Sequence, residues 1–127
     1  MTEEEYHNLV FNDGELEKYL KQGGDPTHDN NYAIRFASNN NEIEVVKLLL
    51  KDSRVDPCAS DNQAFRRAYR YKHYDIVKLL LDVPEVIKLE TPFSSSHEFL
   101  SYFRTLNKTY SELSEEEKIY IKLKYDI

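Results

Sequence analysis

The chain has 127 residues, 31% of them charged, with a formal net charge of −6 and a pI near 5.2. That length suits one domain with a continuous core, and the acid excess weighs against nucleic-acid binding over the whole surface. A mean hydropathy of −0.70 without a long apolar run excludes a transmembrane helix.

The start, Met1-Thr2-Glu3-Glu4-Glu5, is acidic, the wrong sign for a secretory or mitochondrial leader. The single cysteine, Cys58, has no internal disulfide partner, which points to a reducing, cytoplasmic setting. Ten Tyr and six Phe in so charged a chain place some tyrosines on the surface.

Thr2 with Glu5 three residues on forms a capping box that opens a first short helix to about Phe11, with Tyr6, Leu9 and Val10 as its apolar side. Asn12-Asp13-Gly14 is a turn. A second helix covers Glu15–Lys21, and Gln22-Gly23-Gly24 ends it, because glycine accepts the left-handed C-cap conformation. Asp25-Pro26 starts an extended turn to about Asn30. A third helix follows over Tyr32–Asn39, then a tight turn at Asn39-Asn40-Asn41. The next helix, Glu42–Asp52, carries Ile43, Val46, Leu49 and Leu50 as one stripe, widened by Val45 and Leu48. A helix so apolar needs cover on two sides.

The pattern then returns. Asn39–Leu50 recurs 31 residues on as Arg70–Leu81, Asp25-Pro26 as Asp56-Pro57, and Ala33/Ala37 as Ala64/Ala68. Helices are expected over Asn62–Tyr71 and Tyr74–Asp82, the latter with Tyr74, Val77, Leu80 and Leu81 inward. After Pro84 the period decays, and Ile87-Lys88 stands where Asp-Pro is due. Thr91–Ser96 reads as a loop, His97–Leu106 as a helix, and Ser114 with Glu117 as a capping box opening Glu115–Lys124, with Ile119, Tyr120 and Leu123 inward. Self-similarity of this period marks a repeat array whose neighbours bury each other's apolar faces.

These residues resemble a known family. Tyr32–Leu50 is similar to the helix pair of an ankyrin repeat, and Leu16–Thr27, with its Gly-Gly-Asp-Pro turn, resembles the end of one. The valine–lysine–leucine–leucine–leucine run before Asp-Pro is the most specific part, and residues 16–86 carry the pattern. The usual Thr-Pro-Leu-His start is absent, Asn41 and Lys72 stand at the loop glycine, and Tyr69 sits where a small residue is usual. The run from Asn31 to Ser38 is similar to the divergent repeats abundant in giant DNA viruses and amoebae. The resemblance implies an all-α helical-hairpin solenoid in a single domain. Its parts would be an N-terminal capping repeat (1–24), full repeats (25–55 and 56–86) and a non-repetitive helical cap (87–127). It also implies a concave face that binds another protein. Carried over by position, the contact residues fall on His28, Asp29, Asn31, Asn39 and Asn40, then on Ala59, Ser60, Asn62, Arg70 and Tyr71.

The residues themselves add a basic aromatic cluster, Arg66-Arg67-Ala68-Tyr69-Arg70-Tyr71-Lys72-His73. Over residues 62–81 five Lys/Arg stand against Asp75, a net of +4, whereas residues 1–31 carry −6. Arg66, Arg67, Tyr69, Arg70, Tyr71 and Lys72 are therefore candidates for contact with an acidic protein partner. The same charge split admits self-association, acidic end to basic end. Single-stranded nucleic acid is a lesser alternative on the interleaved Arg and Tyr. Catalytic, metal and cofactor patterns fail. His97-Glu98-Phe99-Leu100-Ser101 lacks the second His of a zinc helix, Ser94–Ser96 read as N-caps, and the three glycines form no phosphate cradle. The expectation is a non-enzymatic interaction module without cofactor or metal.

Overall fold

A computed structural model describes residues 1–89 and 96–127. Helices α1 (Glu3–Phe11), α3 (His28–Asn39) and α5 (Ala59–Arg70) form one layer. Helices α2 (Leu16–Lys21), α4 (Ile43–Leu50) and α6 (Tyr74–Leu80) form the other. Each hairpin packs on the next: α3 lies against α5, α2 against α4, and α4 against α6. Helices α7 (Pro84–Lys88), α8 (His97–Leu106) and α9 (Glu115–Tyr125) complete the chain, with a 3₁₀ turn at Tyr110–Glu112. No strand occurs among the described residues. The expected Thr91–Ser96 loop lies, but for Ser96, outside them.

The 31-residue period is a period of contacts. Val46 and Leu49 of α4, Val77 and Leu80 of α6, and Leu81 at its C-cap are fully buried between neighbouring hairpins, as are Ala33/Ala37 and Ala64/Ala68 in the inner layer. The alanines let α3 and α5 approach closely. The hairpin turns repeat too. At the ends of α2, α3 and α5 a residue with positive φ (Gly23, Asn41 and Lys72) is followed by an N–H that bonds back five residues, Gly24 to Tyr19, Glu42 to Ala37 and His73 to Ala68. This is the Schellman closure, which glycine suits best. Lys72, at φ 59°, accepts that conformation at a cost of about 1–2 kcal/mol.

The segments before the inner helices were expected to be extended turns. They are left-handed turns. Asp29, Asn30 and Asn31 all have φ of 52–60°, and Ser60, Asp61 and Asn62 repeat this at 56–64°. Short polar side chains tolerate this region best among residues with a Cβ. An arginine one turn on secures each. Arg35 donates from Nε to the Asn30 carbonyl (2.9 Å) and from Nη2 to that of Asp29 (2.8 Å). Arg66 does the same to Asp61 (2.9 Å) and Ser60 (3.2 Å).

Two expectations need correction. Pro84 does not simply interrupt; it opens the short helix α7, where a missing N–H costs nothing. The orientation of α9 is reversed. Ile121 is its buried residue, whereas Ile119, Tyr120 and Leu123 are 58%, 45% and 82% exposed. Tyr125 on the Ile121 side packs edge-on against Phe99, and that contact sets the helix's rotation.

Helix α9 begins in the expected box. Ser114 Oγ accepts from the Glu117 N–H (3.1 Å), Glu117 accepts from the Ser114 N–H (2.9 Å), and Lys108 Nζ lies 2.8 Å from the same carboxylate. The lysine, then the backbone N–H, hold the Glu117 carboxyl down at about 2. The ordinary value is 4.5, so ionised Glu117 stabilises the fold fully above about pH 5 and loses that effect as pH falls toward 2. Glu117→Gln should therefore lower the urea midpoint at pH 7, and the two midpoints should converge near pH 2. A constant gap between pH 7 and 3 would contradict this.

Candidate inner-face groove

Two rows of side chains on α3 and α5 bound a groove of about 270 Å³, lined by Tyr32, Arg35, Phe36 and Asn39 on one side and Gln63 and Arg67 on the other. The rows are the same positions one period apart: Tyr32 answers to Gln63, and Phe36 to Arg67. Tyr32 and Phe36 belong to an aromatic cluster with His7 and Phe11 of α1, with ring centroids 4.7–6.4 Å apart. Tyr32 Oη is 3.0 Å from His7 Nδ1, which fixes the ring over the groove. Arg35 Nη1 donates to Gln63 Oε1 (2.9 Å), so Arg35 spans the groove floor with three of its N–H donors engaged by neutral acceptors. The Arg67 guanidinium has no hydrogen-bond or ion-pair partner among the described residues.

The expected contact residues separate into four groups. Asn39 and Arg67 line the groove. Asn40, Arg70, Tyr71 and Lys72 are exposed at the hairpin ends below it, where the Arg70 guanidinium lies 5.9 Å over the Tyr71 ring. His28 and Asp29 lie on the opposite turn; His28 Nε2 is 2.7 Å from Glu3 Oε1. The last group is internal and corrects the expectation. Asn31 and Asn62 are 7% and 0% exposed and serve as struts, not contacts. Asn31 Oδ1 accepts from the Asp56 N–H (2.9 Å), and Asn62 Nδ2 donates to the Val86 carbonyl (3.0 Å). Arg66 is committed to its own turn. Tyr69 is stacked with Phe65 and Phe99, at 6.1 and 5.4 Å. Of the other positions carried over, Ala59 is buried and Ser60 Oγ accepts from Asn30 Nδ2 (2.8 Å).

Tyr32, Arg35, Phe36 and Gln63 were missed. For Tyr32, Phe36 and Gln63 the signal was the 31-residue offset itself, applied to the i, i+4 positions that flank the alanines. Cys58 is half-buried, and burial, then Asp56, pushes its thiol up to about 11, so it is a poor nucleophile. Among the described residues no group of three or more His, Cys, Asp or Glu is placed to hold a metal. No helix among them is long and apolar enough to cross a membrane.

The family model described as ankyrin repeats (3 copies) matches residues 7–90, roughly two thirds of the chain. The chain belongs to the ankyrin-repeat family. No curated protein and no solved structure gives a match. Ankyrin repeats in general mediate protein–protein interaction and are in general non-enzymatic. In this ankyrin-repeat chain the groove runs between the inner helices of adjacent hairpins, with the left-handed turns at one end and the α5–α6 turn at the other.

Proposed function

We propose that this chain is a non-enzymatic adaptor that seats an acidic segment of another protein in the groove between α3 and α5. The observation that carries the reading is Arg67: a guanidinium in a half-covered groove, beside the Tyr32 and Phe36 rings, without a carboxylate of its own. An arginine so placed offers two parallel N–H donors to one carboxylate, a charge-assisted pairing of about 1.5–3 kcal/mol. Arg70 and Lys72 extend the positive field toward the hairpin end, which favours encounter with an acidic chain. The aromatic wall supplies rigid apolar area beside the charge.

Selection of a random peptide library on the purified chain tests this. Enriched peptides should carry Asp or Glu next to an aromatic or aliphatic residue, and Arg67→Glu should weaken them at least about tenfold, the equivalent of 1.4 kcal/mol. Arg66→Glu is the control for stability, because Arg66 serves its own turn. Peptides without acidic bias, or unchanged affinity for R67E, would refute the reading.

A further inference from the structure

Helix α9 carries three of the five large apolar side chains that stand exposed among the described residues: Ile119, Tyr120 and Leu123. On an α-helix these positions share one face, opposite Ile121. The stripe is bordered by charges of opposite sign at its two ends. Glu115 and Glu116 lie in the first turn, Lys122 and Lys124 in the last with Asp126 at the C-cap just beyond, and all five are exposed. Glu116 and Lys122 have no ion-pair partner among the described residues, and the pairs Lys118–Glu115 and Lys124–Glu98 are long at 3.8 and 3.9 Å.

We infer that two copies of the chain pair through α9, antiparallel, about a twofold axis near Ile119 and Tyr120. The charge order selects this occupant and this orientation. An antiparallel mate sets its Lys122–Lys124 end against Glu115–Glu116 at both ends of the stripe and opposes the two helix dipoles. A parallel mate would set glutamate on glutamate and lysine on lysine. Ile119 and Tyr120 of each copy then cover one another across the axis, and Leu123 packs along the stem of the mate's Glu116, which reduces the exposed apolar face. The helix is only about 16 Å long, so the interface falls well below the roughly 800 Å² per partner of a standard complex. The pairing is accordingly weak and reversible, and it leaves the groove between α3 and α5 open.

Sedimentation velocity of the full chain across a wide concentration series tests it. A monomer–dimer equilibrium that stops at two is expected. Leu123→Glu should shift it at least tenfold toward monomer with an unchanged circular dichroism spectrum, since the residue is 82% exposed. Reversing one end (E115K with E116K) should also weaken the dimer, and reversing both ends (adding K122E and K124E) should restore it. Persistent monomer near millimolar concentration, growth beyond two, or a dimer indifferent to L123E would overturn the inference. Weakening by the one-end variant without restoration by the four-fold variant would overturn the antiparallel arrangement.

Discussion

Phe65→Ala should lower the free energy of unfolding by about 3–5 kcal/mol, a large part of the 5–15 kcal/mol typical of a domain. Phe65 is fully buried and stands where the repetitive hairpins meet the non-repetitive helices. Its ring stacks with Tyr69 at 6.1 Å and Phe99 at 6.4 Å, and Phe99 in turn packs against Phe103 and Tyr125. Removing the ring leaves a cavity that α5 cannot close, because Ala64 and Ala68 already hold it tightly against its neighbours. In an array stabilised by nearest-neighbour contacts, the loss falls on the junction. Amides of α8 and α9 should therefore lose exchange protection before those of α3 and α4. Phe36→Ala, at a half-buried ring on the groove wall, should cost clearly less. A loss under about 1 kcal/mol for F65A in urea titrations would show that the junction is held elsewhere.

Asn31→Ala should be more destabilising than Asn62→Ala, by about 1 kcal/mol. Both residues have positive φ, 60° and 64°, so alanine meets the same backbone penalty at each and the comparison isolates the side chains. Asn31 supplies the acceptor for the Asp56 N–H, which would be left unpaired in a part-buried site. Asn62 donates to the Val86 carbonyl, but its own Oδ1 is buried without a partner. Alanine there deprives the Val86 carbonyl of its donor but removes the unmet Oδ1 acceptor in the same step, which offsets part of the loss. The glycine variants, which relieve the backbone, should keep the same order. Equal losses would mean that the two amides are not playing the different parts their partners indicate.

Much of the fold was legible because one period governed several independent signals. The repeated leucine run, the Asp-Pro turns, the paired alanines and the Asn41/Lys72 turn positions all pointed to stacked hairpins, and the capping boxes at Thr2 and Ser114 fixed two helix starts. The site was less legible. Asn31 and Asn62 read as contacts because the family's contact positions fall on them, yet a left-handed turn leaves backbone groups of the next hairpin in need of an amide. Arg66 and Arg67 are adjacent in sequence and of one type. Only the 100° step between them decides that one reaches back to its own turn and the other faces the groove. Helix α9 offered two apolar sides, Ile119/Leu123 and Ile121/Tyr125, and periodicity alone had no means of choosing between them.

The unanswered oxygen on Asn62 marks where the array stops. One period earlier the same atom meets the Asp56 N–H; here the Asp-Pro turn has given way to α7, whose amides are turned to their own helix. The edge left by α5 is instead closed by rings, with Phe99 of α8 stacked on Phe65 and Tyr69. A tandem copy of residues 56–86 inserted there would have to displace those rings, so lengthening the molecule means recutting this joint as well as adding a module.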